Sequence, residues 1–153
     1  MDIREQPGVD VVADFNLPLP FLDDSVEEVY SSHCFEHVSN VYRLLQEICR
    51  ICVPDALVII KVPHFGQEMA MCPGHVHVIS EQMIQHFDEF PSQWWNGKKR
   101  LKLMKKQYVP TGHLAEAKRL FPKMSDEQIY RYIQNTCHEV VFRFRVRERP
   151  LRK

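Results

Sequence analysis

The stretch from Val26 to Val62 constrains the fold more than any other part of the chain. Ser39 and Asn40 can cap a helix that continues to about Cys52, with Val41, Leu44, Leu45, Ile48 and Ile51 or Cys52 along one face. Pro54-Asp55 ends that helix, and Ala56 to Val62 (ALVIIKV) follows as an apolar run of strand length closed by Pro63. Upstream, Val26 to Ser32 (VEEVYSS) is another strand candidate. Strand, helix and strand with short joints predict a right-handed crossover and a parallel pair, so the centre of the chain is α/β.

The flanking segments carry further signals. Val9 to Ala13 (VDVVA) is a β-branched run bounded by Gly8 and Asp14-Phe15-Asn16, which predicts a short buried strand. LPLPFLDDS, with two prolines and paired acids, reads as a loop. Ser80 can cap a short helix with Glu81 in its first turn and Met83, Ile84 and Phe87 on one face. Lys99 to Val109 alternates weakly as a strand, with Pro110-Thr111-Gly112 as a turn after it. Ser125-Asp126-Glu127-Gln128 is a capping box opening a helix of about ten residues. In the last element Phe142, Phe144 and Val146 alternate with Arg143, Arg145, Arg147 and Arg149, the period of a half-buried strand.

With 153 residues the chain fits one domain, 1–153, and no apolar run approaches the roughly 20 residues of a membrane span. The N-terminal MDIREQPG has no secretory pattern, so a cytoplasmic location without membrane contact is expected. Five scattered cysteines do not suit a disulfide framework, and Cys49 and Cys52 of the CxxC fall within the helix as core filler. The formal net charge is zero, but Met1 to Trp95 carries 15 acids and 4 bases while Asn96 to Lys153 carries 5 acids and 16 bases. Internal or subunit complementarity explains that asymmetry most simply, and a nucleic-acid-binding C-terminal face is the other reading.

Several clusters are candidates for chemistry. Glu36 and His37 can form an acid/base pair. His64, Cys72, His75 and His77 have short spacings that can serve zinc, but they match no familiar finger and no metal is expected. Trp94-Trp95 before Lys98, Lys99 and Arg100 combines stacking with phosphate neutralisation, or anchors a loop. The Arg143, Arg145 and Arg147 stripe can contact nucleic acid, or face acids, including those of a second copy.

In their order, GVDVVADFNLPLPFLDDSVEEVYSSHCFEHV, the helix and ALVIIKVPH resemble the small-molecule type of class I S-adenosylmethionine-dependent methyltransferase. The matching residues are Asp14, Leu19-Pro20-Phe21, Asp24-Ser25-Val26 and Phe35-Glu36-His37-Val38, with His75 in a later His-containing segment and Val140 to Glu148 as the family's last, antiparallel strand. The resemblance implies S-adenosylmethionine as cofactor, with Asp2 at the ribose, Asp14 and Phe15 beside the adenine, and Ser31, Ser32 and His33 at the methyl-transfer mouth. It implies that Glu36-His37 positions the substrate-side turn, with His64, His75 and His77 on that side.

Two departures stand out. None of Gly8, Gly66, Gly74, Gly97 and Gly112 forms the family's Gly-x-Gly cofactor loop, and Pro54-Asp55-Ala56 replaces its usual Pro-Gly-Gly turn. The expected fold is therefore α/β, a three-layer, Rossmann-like methyltransferase sheet truncated at its N-terminus, mostly parallel with a C-terminal antiparallel strand. Residues 1–90 would form the residual cofactor-side core and 91–153 the basic part completing the sheet. A sheet lacking a central strand exposes a backbone edge, so a homo-oligomer or a partner chain is expected to cover it. The functions implied are a methyltransferase of unknown acceptor, weak or inactive as an isolated chain, or a non-catalytic module for protein or nucleic-acid interaction.

Overall fold

A computed structural model describes residues 1–89 and 97–149. Among these residues four strands, β1 (Val26–Ser32), β2 (Cys52–Pro63), β3 (Lys99–Pro110) and β4 (Cys137–Glu148), form one sheet in the order β1-β2-β4-β3. Among the described residues four α-helices accompany them: α1 (Val41–Ile51), α2 (Glu81–Glu89), α3 (His113–Leu120) and α4 (Asp126–Tyr132).

The predicted crossover is present. Asn40 caps α1 by accepting from Arg43 N, and Val41, Leu44, Leu45, Ile48, Cys49 and Ile51 are buried on one face. The chain passes directly from α1 into β2, which pairs parallel with β1. Pro54-Asp55 therefore lies inside a strand rather than between elements. Between the Val26–Cys52 and Glu28–Leu57 pairs β2 carries three extra residues, a bulge accommodated by Asp55 at φ 67°. Aspartate tolerates that left-handed region better than most residues, which explains how it stands where a glycine is usual.

The expectation of a mostly parallel sheet is corrected: β1–β2 is parallel, whereas β2–β4 and β3–β4 are antiparallel. Val9 to Ala13 also forms no strand. Only a single parallel bridge joins Asp2 to Val12, since no strand among the described residues offers that run a ladder. The Ser125 capping box is formed, but its helix spans seven residues and stops before Asn135, which turns the chain at φ 60° into β4. Helix α3 has no counterpart in the sequence reading.

Register places Val58, Ile60 and Val62 of β2 beside Phe144, Phe142 and Val140 of β4, all buried under the helices. Ile84 and Phe87 of α2 and Tyr130 of α4 join the same core. Lys106 of β3 binds Glu81 and Glu127 at 2.7 and 2.8 Å, fastening α2 and α4 to the sheet. The opposite face carries Glu28, Tyr30, Leu57, Ile59, Arg143 and Arg145, with Tyr30 63% exposed. Among the described residues no helix covers that face, so two layers are seen where three are expected.

Candidate functional site

A cavity of about 660 Å³ opens along the outer edge of β1. Its lining includes Val26 and the consecutive run Glu28 to Phe35. Alternate residues of a strand point to opposite faces, so an unbroken run can line a cavity only through the strand's edge. That edge carries no strand among the described residues. The Met1–Ile3 and Asp14–Asn16 segments form another wall, and Leu44, Ile48 and Ile51 of α1 contribute apolar surface.

The loop between the Val9 run and β1 is fixed from α1. Arg50 donates to the Leu19 and Phe21 carbonyls at 2.9 and 2.8 Å, to Asp23 at 2.7 Å and to both Glu47 oxygens at 3.0 and 2.8 Å. Glu47 in turn accepts from Leu19 N at 2.9 Å. The guanidinium holds the Glu47 carboxyl below the usual carboxylate range. Leu19 and Phe21 both line the cavity, so Arg50 and Glu47 shape it without entering it. Asn16 does similar work: its side-chain oxygen accepts from Ser39 N and Oγ at 2.8 and 2.6 Å, tying the Asp14 loop to the start of α1.

Asp2, Asp14, Phe15, Ser31, Ser32, His33 and His37 all line the cavity. Asp2 accepts from Arg4 N and Gln6 Nε2, one bond per oxygen. Asp14 accepts from Asn16 N and Nδ2, both on Oδ1. Each carboxylate retains acceptor capacity for a ligand hydroxyl or amine. The Ser31 hydroxyl is buried without a well-formed hydrogen bond, apart from a weak contact with the Cys34 thiol. Burial pushes that thiol up to about 11.

His33 stands in the left-handed region at φ 52°, where β1 ends. Its Nε2 lies 2.6 Å from Glu139 of β4 and its Nδ1 3.2 Å from Glu36. Burial pushes the Glu139 carboxyl up, but hydrogen bonds from Lys61 and His33 outweigh it and hold the group low. Glu36 itself is only 1% exposed and lies beneath the turn Phe35–His37, outside the cavity lining.

The remaining histidines do not form one cluster. His64 is buried beside Phe65 and Tyr108, accepts from Gly66 N at Nδ1, and is held low by burial. His77 contacts the Ser39 carbonyl, whereas His75 packs edge-on against His37 at 4.8 Å between ring centroids. The spacing of His64, Cys72, His75 and His77 therefore does not translate into a shared centre. Cys49 and Cys52 are buried, and burial raises both thiols, as suits core packing.

Part of the basic stripe is engaged within the chain. Lys99 binds Asp24 and the Cys52 carbonyl, Arg147 pairs with Asp55, Arg145 donates to the Asp55 carbonyl, and Arg143 reaches Gln107. Lys98 is exposed and Arg100 half-buried, while Trp94 and Trp95 lie outside the described residues. Glu139, Arg50 and Asn16 were not singled out from sequence. The (i, i+3) pairing of Glu47 with Arg50 was the only local signal for any of them.

Residues 3–60 match the methyltransferase domain family. No protein of curated function matches the chain. Among solved structures, the YcgJ protein of Bacillus subtilis superposes with a TM-score of 0.58 at 15% identity, over 92% of this chain and 71% of that one. An S-adenosylmethionine-dependent methyltransferase of Mesorhizobium loti gives 0.54 at 15% identity over 92% and 71%. One from Archaeoglobus fulgidus gives 0.53 at 14% identity over 88% and 66%. At such identities the likeness is one of fold. Residues 3–60 thus match the methyltransferase domain family, and the fold is similar to that of class I S-adenosylmethionine-dependent methyltransferases.

Proposed function

We propose that the cavity along β1 is an S-adenosylmethionine site and that the chain serves methyl transfer to an acceptor not specified by its core. One observation carries the reading: two carboxylates with spare acceptor capacity and the poorly satisfied Ser31 hydroxyl share a cavity of about 660 Å³, within the range of small-ligand pockets. It runs along the edge of β1 and reaches past the strand's carboxyl end at His33, the end at which nucleotide-like ligands bind open α/β sheets. The lining suits the adenosine end. No glycine lines the cavity among the described residues, so the methionine end lacks the close backbone approach that glycines permit.

In this reading Asp2 accepts the ribose hydroxyls and Asp14 the adenine amine, with Phe15 beside the ring. Ser31, Ser32 and His33 border the mouth through which an acceptor approaches. When bound, S-adenosylmethionine supplies an activated methyl group, and the protein's contribution is alignment of the acceptor with it. Glu36 and His37 have a positioning role, because Glu36 is buried away from the cavity and His37 is tied to the Gly74 carbonyl. With only the adenosine end furnished, binding by this chain alone is weak.

Calorimetric titration with S-adenosylmethionine and S-adenosylhomocysteine tests this. Binding that Asp14→Ala abolishes supports the proposal. Absence of heat at millimolar ligand refutes it for this chain and favours a non-catalytic module on the same scaffold.

A further inference from the structure

Beside the cavity, Glu36, His37 and His75 each bring a ligating atom to within 4.8 Å of the others. We propose that these three residues form a site for a divalent cation of the zinc class, with Glu36 and the Nε2 atoms of both imidazoles as ligands.

Three observations converge on it. The first is the carboxylate: Glu36 is 1% exposed and neither oxygen makes a hydrogen bond among the described residues. Its polar company is an ion-pair contact from His33 Nδ1 at 3.2 Å, on one oxygen only. A buried carboxylate so poorly compensated is costly unless a positive charge faces it, and a dication supplies one.

The second is the tautomer of each histidine. His37 Nδ1 lies 2.9 Å from the Gly74 carbonyl and His75 Nδ1 lies 3.2 Å from the Ala70 carbonyl. A carbonyl only accepts, so Nδ1 carries the hydrogen in both rings and the lone pair is left on Nε2. Metal-bound histidines are oriented in this way, one nitrogen held by a backbone carbonyl while the other ligates.

The third is preorganisation by backbone. The Glu36 carbonyl accepts from Val76 N and His77 N at 2.7 and 3.2 Å, and His75 N donates to the Cys72 carbonyl at 2.9 Å. The loop carrying His75 is thus stapled to the turn carrying Glu36 and His37. Closing the three ligands onto bonds of about 2.0–2.2 Å draws side chains together whose ligating atoms already lie within 4.8 Å of one another. Two imidazoles and one carboxylate leave a coordination position open, and His37 is the ligand that also lines the cavity.

The proposal stands apart from the cofactor reading, because its test needs neither S-adenosylmethionine nor an acceptor. Chelator-treated protein of residues 1–153 is titrated with Zn²⁺ and Co²⁺ alone by calorimetry, with metal content counted after gel filtration and folding checked by circular dichroism. One cation per chain is expected, with affinity reduced on the order of tenfold or more in His37→Ala and in His75→Ala. Glu36→Gln is expected to lose affinity likewise, while His77→Ala and Cys72→Ser, outside the triad, retain it. Co²⁺ should give the visible absorption of a nitrogen- and oxygen-ligated site that disappears in His75→Ala. Failure to retain a stoichiometric cation, or a site that survives both histidine substitutions in folded protein, overturns the proposal.

Discussion

Replacing Arg50 tests whether the wall of the cavity is built from α1. Its guanidinium makes five hydrogen bonds, two to the Leu19 and Phe21 carbonyls, one to Asp23 and two to Glu47. Net worth per bond is about 0.5–1.5 kcal/mol. The Arg50 side chain is 31% exposed and Asp23 is 72% exposed, so solvent screening places each bond near the low end. At about 0.6 kcal/mol apiece, Arg50→Met should cost about 3 kcal/mol. For a domain of this size that lowers Tm by about 6–12 °C. Arg50→Lys keeps the charge but offers a point donor in place of a planar fork, and about half the loss should remain. Equilibrium urea unfolding measures both variants, and a cycle with Glu47→Gln isolates the pair within the network. Ligand affinity should fall in parallel, because the released loop carries two cavity-lining residues. An Arg50→Met protein within about 0.5 kcal/mol of the parent would refute the reasoning, since a surface substitution free of such contacts has that effect.

Two further perturbations follow from the geometry. At the β2 bulge, Asp55→Val should destabilise by about 1–2 kcal/mol because a β-branched residue is forced to φ 67°. Asp55→Gly should stay within about 0.5 kcal/mol, as relief of the backbone offsets the exposed ion pair with Arg147; equal effects of both changes would disprove backbone strain as the cause. Acid titration should show two losses of stability. Burial lowers the His64 pKa, so its neutral form stabilises the fold above the unfolded value of about 6.5 and that contribution is lost as pH falls through the lowered value. Glu47 and Glu139 are also held low, so their contribution is full above about 4.3 and lost below it. The urea midpoint followed from pH 8 to pH 3 should therefore step twice, and His64→Gln should remove the upper step; an unchanged profile in that variant contradicts the assignment.

What was legible in the sequence is what local chemistry determines. Asn40 before an amphipathic run gave α1, the Ser125–Gln128 box gave the start of α4, and alternation of Phe142, Phe144 and Val146 gave β4. The Val9 run misled because β-branched residues signal a pleated surface but not the neighbour needed to complete it. Helix α3 was missed because Leu114 and Ala117 are its only inward residues besides a mixed face, too few to show a period. The residues proposed for the cofactor were named through family order, and the fold places them around one cavity. Contacts made only by folding left no trace beforehand: His33 meets Glu139 across 106 positions, and His37 meets His75 through a loop held by backbone bonds and by imidazole contacts to backbone carbonyls.

The edge of β1 that carries no strand among the described residues joins two equilibria that are usually separate. Its peptide groups border the cavity and stand in the row where a further strand would pair. An extended segment docking there, from a second copy or another chain, would bring its own amide donors to the place where glycine backbone is wanting. Docking and cofactor binding would then be thermodynamically linked, each changing the affinity of the other by the same factor. Such a domain would register its partner as affinity for its cofactor.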